Sequence, residues 1–561
     1  MKTNIKAEEK QNARLIYSDL SLKQGFKKFL LNPLYILPVV LSTVLCYTYY
    51  LTHETVTIDS LSSDRYYHGL LVAQGRLTAT IIENFLGFEH LPIIIENIIG
   101  LICFILGATV LCIIFDRVKP QNNILPYTFF TSIFITFPLL NEYFMFKGAV
   151  LTTGGSILLV SLALYFALKI KNFFLSIIVS GCFIFFAFSW YETFALVYIG
   201  SVFLILILLA DSNKKQGELF LKGFWLAPHI IIGCGSEMII SRIVLVIFNI
   251  EPNTNNSNPT YWFYDSTDLK TFFYDFLYSF AAKFFCYTPI TIVVIFLAIS
   301  LVLMICQIKK TKKTILILFY IGLSLTVFLL SLYRGATTIY RAEQGMPFYT
   351  GTVALLISSF IIRLNKKRVL KAATSLCLVG VIIIQICSSN YWYHTNVIRD
   401  REEKQVVLNV AQDLEKYDKN KPVLFIGIYN LSDETKSRIK VKPDSTSEKI
   451  IDFLNQKPHN GDFNYYICDT SIRSYIAWSA TSFSPMNIEL KKFFNVCGYD
   501  FKLGTNEQIY TASKIAINSP AYPQKGYITE TDDYIIVKLG NYNLEAYEIT
   551  LQQLRKNSPS N

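Results

Sequence analysis

The ionisable residues best placed to do chemistry sit just past the ends of apolar runs. They are Asp59, Asp64, Arg65 and Arg76 between the first two runs, Glu142 and Lys147 after the third, Glu192 at a tight reversal, and Arg334 and Arg341 beside a late run. A carboxylate can take the proton of an attacking hydroxyl, and a guanidinium group matches a phosphate with two parallel hydrogen bonds. Acids and arginines on one face therefore form a set able to move a group from a phosphate carrier onto a hydroxyl while the departing anion is held. Each residue also has a plainer reading. Asp64 and Arg65 could be an exposed pair worth under about 1 kcal/mol. Arg76 could snorkel to headgroups, Arg334 and Arg341 could meet anionic lipid, Glu142 and Lys147 could pair with each other, and Glu192 could simply finish a helix.

The elements that must position these residues are set by composition. Of 561 residues, 52% are hydrophobic and only 17% charged, with a mean hydropathy of +0.37, which excludes an ordinary soluble enzyme and predicts a membrane protein. Eleven apolar runs read as spans: 33–52, 93–115, 124–140, 149–168, 172–190, 193–210, 223–250, 288–307, 314–333, 346–362 and 372–388. With the N-terminus in the cytoplasm, 23 basic residues fall on the inner side and seven in the opposite short loops, a strong positive-inside bias. The net charge of +11 is spread in short clusters between runs, which argues against a nucleic-acid partner. Residues 1–30 are then a cytoplasmic tail without a cleavable signal, 31–388 a transmembrane domain with outer loops 54–92 and 251–287, and 389–561 an outer-face domain. The tail mixes helical spacing around Val406–Leu414 with strand-like runs at 423–428, 464–468 and 534–539, predicting a small α/β fold.

Leu77, Ile81, Ile82, Phe85 and Leu86 have the spacing of a helix lying in the membrane interface, and loop four is crowded with aromatic residues that suit the same depth. In the seventh run, His229, Glu237 and Arg242 are ionisable at membrane depth, so Glu237 and Arg242 are expected to pair or to face a cavity, with Gly233 and Gly235 marking a break. Eleven cysteines show no CxxC spacing, and Cys468 with Cys497 are the two that an oxidising outer face could bridge. Asp59 and Asp64 could each lend an oxygen to a divalent cation, but two carboxylates are too few to define a site.

Ile58-Asp59, Asp64-Arg65 and Gly75-Arg76 after the first run resemble the start of bacterial serotype-converting Gtr-type glucosyltransferases. The resemblance continues through Pro138 to Lys147, the Trp190-Tyr191-Glu192 reversal, Tyr333-Arg334 with Arg341 and Pro347, the segment from Tyr393 to Tyr417, and Tyr522-Pro523 to Gly526. It departs where that family carries two adjacent acids, because Ser60 follows Asp59, and the choice of base stays open between Asp59 and Asp64. The resemblance implies an all-α polytopic bundle of GT-C type with about eleven transmembrane helices and a C-terminal α/β domain, in the bacterial inner membrane. Its implied donor is a polyprenyl-phosphate sugar, in particular undecaprenyl-phosphate glucose, and its implied acceptor an outer-face glycan such as O-antigen, with membrane lipid as a further partner. Asp59 and Asp64 would then be catalytic, and Arg65, Arg76, Arg334, Arg341 and Lys147 would bind donor phosphate and sugar, with Glu142 and Glu192 as further candidates. An O-antigen polymerase or a lipid-linked sugar flippase are the competing readings.

Overall fold

The structure, a computed structural model, describes residues 15–53, 55–56, 68–82, 91–144, 149–211, 215–251, 288–334, 342–364, 368–427, 429, 431–439, 488–545, 547–548 and 552. Each of the eleven apolar runs falls on helix. Among the described residues eight helices are long and apolar enough to cross a membrane, and three apolar helices, Leu125–Leu140, Phe173–Phe188 and Leu316–Leu325, are shorter. Eight of the eleven expected spans thus fall on helices of full spanning length, and the third, fifth and ninth runs fall on the three shorter ones.

The described residues divide into two compact units, the first within Met1–Thr52 and Tyr66–Tyr391, the second within His53–Arg65, Trp392–Lys442 and Asp462–Asn561. In the first unit the apolar side chains face outward as well as inward. Helix Pro33–Thr52 leaves Leu34, Leu37, Leu41 and Leu45 exposed while Tyr35, Val39, Cys46 and Tyr47 are buried; a surface of this kind is stable against lipid, not water. The buried tyrosines spend their hydroxyls between helices: Tyr35 bonds Thr109 at 2.9 Å and Thr131 at 3.0 Å, and Tyr47 donates to the Ile135 carbonyl at 2.5 Å.

With no hydrophobic drive between helices in lipid, close backbone approach must supply packing. Helices Ile93–Val118 and Ala149–Lys169 cross at glycine: a Cβ on Gly154 would lie 1.8 Å from the Gly100 carbonyl oxygen, and one on Gly100 would lie 2.5 Å from that of Val150.

One end of the bundle gathers basic residues. Lys28 pairs with Asp116 at 2.5 Å, and Arg117 with Asp19 at 2.5 Å. Asp211 is a hub, reached by Lys119, by Arg363 at 3.0 Å and by Lys310 at 3.9 Å. These residues come from the amino-terminal segment and from the connections that the charge pattern assigns to a single side. Their mutual pairing puts them at one end, here termed the basic end.

Helix Arg368–Leu414 runs unbroken for 47 residues, and the part from Trp392 onward lies within the second unit. That unit also holds a three-stranded sheet in the order β1-β3-β2, where β1 is Val423–Ile426, β2 Ile528–Glu530 and β3 Ile535–Lys538. β1 and β3 are parallel, pairing Val423 with Ile535 through Ile426 with Lys538, and β2 is antiparallel to β3. Both β1 and β3 are buried along their whole length, which explains why they read as continuous apolar runs rather than alternating ones. Leu424, Ile426 and Ile536 pack against Ile509, Ala512 and Ala516. Helix Asn506–Ile515 starts at a capping box between Thr505 and Gln508, which satisfies two otherwise unpaired amides. The run 464–468 and Cys468 lie outside the described residues, as do 83–90 and 252–287. Cys497, in the second unit, is a free thiol.

Candidate functional site

Away from the basic end, three segments singled out by the sequence converge. Helix His68–Ala73 ends at Gly75, whose φ of +75° is the left-handed conformation that glycine adopts without strain. The Gly75 amide donates to the Val72 carbonyl at 2.9 Å and the Arg76 amide to that of Leu71 at 2.8 Å, the two bonds of a Schellman turn. This turn redirects the chain so that Arg76 opens the next helix, Leu77–Thr80. The first residue of the Gly-Arg pair is therefore structural, and it sets where the second is presented.

Arg76 lies over the Tyr191 ring, its guanidinium carbon 5.1 Å from the centroid. Stacking on an aromatic face fixes the plane of a guanidinium while leaving its edge donors for an anion. The neighbouring residues lock the same contact: Thr78 and Ser189 hydroxyls bond at 2.5 Å, and Trp190 packs with Leu71, Ala79 and Leu151. Trp190 fits because Gly155 has no side chain; a Cβ there would fall 2.2 Å from the indole. The turn after the third run joins in through Tyr143, whose ring meets Tyr191 edge-on at 5.8 Å.

The third contributor is helix Gln216–Ile247. A Cβ placed on Gly75 would lie 3.5 Å from Glu237 Oε1 and 3.8 Å from Ser241 Oγ, so the Gly75 turn rests against both. Glu237 is only 6% exposed and accepts a hydrogen bond from Ser241 at 2.5 Å. Glu192 is exposed at the start of the short helix Glu192–Phe194, and its carboxylate bears electrostatically on Glu237. The assembly offers a backed guanidinium, two carboxylates and several hydroxyls at one place. That combination can hold a phosphorylated sugar and accept a proton from an incoming hydroxyl.

Two expectations for the seventh run are corrected. Glu237 bonds Ser241 rather than Arg242, and Arg242 is exposed. The helix continues through Gly233 and Gly235 without a break; Gly233 is there for packing, since its Cβ would meet Ile184 at 2.6 Å. His229 joins neighbouring helices, with Nε2 2.8 Å from Ser176 Oγ.

The remaining site residues are distributed as follows. Glu142 lies in the short helix Asn141–Phe144 and Arg334 ends helix Leu329–Arg334. Asp59, Asp64, Arg65, Lys147 and Arg341 lie outside the described residues. Glu96 and Glu343, not anticipated from the sequence, are buried at 3% and 6% exposure. Both stand where a long helix begins, and that position was the available signal.

The family model for glucosyl transferase GtrII matches residues 48–358, a segment holding every candidate site residue from Asp59 to Arg341 as well as Glu237. No curated protein and no solved structure matches the chain. A match over more than half the chain, covering the converging Gly75-Arg76, Tyr191-Glu192 and Glu237 segments, shows that this membrane protein belongs to the GtrII glucosyl transferase family.

Proposed function

We propose that the chain is a GT-C type enzyme that transfers glucose from undecaprenyl phosphate to a hydroxyl of an outer-face envelope glycan such as O-antigen. The acceptor oxygen attacks the anomeric carbon in line, the bond to the lipid phosphate breaks, and configuration inverts. The acceptor proton passes to a carboxylate, for which Asp59 is the first candidate and Asp64 the second. The lipid phosphate leaves as an anion stable enough to need charge stabilisation rather than a general acid. Arg76 is the proposed anchor for it, with Arg65, Lys147, Arg334 and Arg341 as further cationic contacts and Glu142 and Glu192 as contacts for sugar hydroxyls. The observation carrying this reading is Arg76 backed by Tyr191 beside the Glu192 and Glu237 carboxylates, inside the segment shared with a glucosyl transferase family.

Orientation follows from the basic end. Positive charge stays on the cytoplasmic side, so the Arg76 end faces outward, where the glycan acceptor would be. The eleven helical runs would then carry the second unit to the outer face.

The direct test supplies the protein in nanodiscs with undecaprenyl-phosphate glucose and envelope polysaccharide. A new glucose side branch is the expected product; chain lengthening would indicate a polymerase, and lipid redistribution without a new bond a transporter. Asp59→Asn is expected to slow turnover by about 100-fold or more, and undiminished turnover would remove Asp59 from the base role.

A further inference from the structure

The second unit contains a cleft of about 750 Å³ that the transfer chemistry does not use, well inside the range of small-ligand sites. One wall is a single face of helix Arg368–Leu414, presenting Arg401 and Gln405. Another carries Tyr429 and Arg438, and the far side is the turn at Tyr522 with Asn541 beside it.

The walls are built rather than incidental. Glu402 receives the Tyr429 hydroxyl at 2.5 Å, the Ser432 amide at 2.6 Å and the Ser432 hydroxyl at 3.0 Å. Tyr522 accepts from Asn409 at 2.9 Å, and its ring stands edge-on to Tyr429 at 6.0 Å and to Tyr527 at 5.2 Å. Two aromatic rings are thus held at fixed angles before any ligand arrives, which lowers the entropy cost of binding. Around them Arg401, Gln405, Arg438 and Asn541 supply donors and acceptors in several directions.

That lining selects a chemical class. Sugars offer apolar C–H faces to aromatic rings and hydroxyls to amide and guanidinium groups. A polyphosphate or nucleotide would require an excess of cations, whereas Arg401 and Arg438 here are balanced by Glu402 and Glu434. An apolar peptide would leave the polar rim unpaired. We infer that this cleft binds the glycan acceptor as a short, uncharged or weakly charged oligosaccharide; the inference deepens the glucosyl-transfer reading and rests on it for the word acceptor. The lining residues all lie outside the matched segment 48–358, so the cleft would set which glycan is served rather than how glucose is moved.

The test uses the full chain in nanodiscs and a panel of bacterial envelope oligosaccharides of two to six sugars, with saturation-transfer NMR for binding and ADP as a charged control. Wild type should bind one or more saccharides and not ADP. Gln405→Ala and Arg438→Ala change exposed side chains and should each weaken that binding by about tenfold, raising the acceptor KM alike and leaving the donor KM unchanged. Tyr522→Phe keeps the ring and should stay within about threefold of wild type, whereas Tyr522→Ala should lose binding. Saccharide binding with no transfer from undecaprenyl-phosphate glucose would sink the proposed function and keep the cleft as a glycan site. Transfer with binding and acceptor KM indifferent to Gln405→Ala and Arg438→Ala, or a panel that wild type does not bind, would overturn the cleft assignment.

Discussion

Arg399 is fully buried, and its guanidinium is a knot tying a helix to the segment of chain at Val56. Nη1 donates to Glu403 at 3.0 Å, and Nη2 donates to the Val56 carbonyl at 3.0 Å and to Asn396 Oδ1 at 2.8 Å. Asp400 accepts from the Val56 amide at 2.9 Å, and Asn396 donates to the Thr55 hydroxyl at 2.6 Å. Val56 precedes the proposed base, Asp59, by only three residues. Arg399→Leu removes the cation from a Glu403 carboxylate that is itself 0% exposed, and breaking one side of a buried pair costs about 4 kcal/mol. The double variant Arg399→Leu with Glu403→Leu removes the stranded charge as well. The Val56 carbonyl and Asn396 still lose a partner, at about 1 kcal/mol each, so the double variant should be about 2 kcal/mol better than the single one.

Hydrogen exchange at the Val56 amide reads this directly. Where reclosing outruns exchange, tenfold corresponds to about 1.4 kcal/mol, so exchange should quicken by roughly 700-fold in the single variant and roughly 30-fold in the double. Glucosyl transfer should fall in the same order. Exchange within about tenfold of wild type in Arg399→Leu, or a double variant worse than the single, would show that the knot does not hold this segment.

Other outcomes follow from the packing. Burial pushes the Asp211 carboxyl up, but Lys119, by charge and hydrogen bond, with Lys310 and Arg363, outweighs burial and holds it below the usual range. A carboxyl depressed in the folded state stabilises above its unfolded value near about 3.9 and loses that contribution as pH falls through the folded value. Thermal melts should therefore show Asp211→Asn weaker than wild type by about 2 kcal/mol at neutral pH, the gap closing in acid; a gap that persists at low pH would contradict the ionic hub. Gly154→Ala should cost about 3 kcal/mol, because its methyl would meet the Gly100 carbonyl at 1.8 Å, and an unshifted melting point would mean the crossing is looser than described. Tyr191→Leu removes the ring under Arg76, worth about 1 kcal/mol, so the donor KM should rise about fivefold with folding preserved, and an unaffected donor KM would detach Arg76 from the donor.

The helical runs were legible because lipid accepts no unpaired backbone, which leaves the sequence little choice but long apolar helices. The clustering of basic residues was legible for a similarly simple reason, since charge on one side of a membrane is set residue by residue. The site was legible only in pieces. Gly75-Arg76 and Tyr191-Glu192 could each be recognised as short motifs, but nothing local says that Arg76 rests on a ring 115 positions further along the chain, because that contact depends on how separate helices pack. Gly233 shows the same limit: its role appears only once Ile184 occupies the opposite surface.

The five-residue spacing of Glu237 and Arg242 already fits a direct pair badly, and helix geometry says why. On a regular helix four residues advance about 400°, returning nearly to the starting face, whereas five advance about 500°, pointing some 140° away. Ser241 was thus the natural partner and Arg242 was not. Helix geometry also accounts for two further acids. Glu96 stands in the first turn of Ile93–Val118 and Glu192 begins its short helix, positions where exposed amides carry partial positive charge and favour a carboxylate. At the basic end helix Ile93–Val118 finishes in Arg117, and helices Ala149–Lys169 and Thr288–Thr311 finish in Lys169 and in Lys309 and Lys310, complementing the negative pole. Basic residues that follow the charge pattern therefore also complement helix poles, so the two preferences reinforce one another at the basic end.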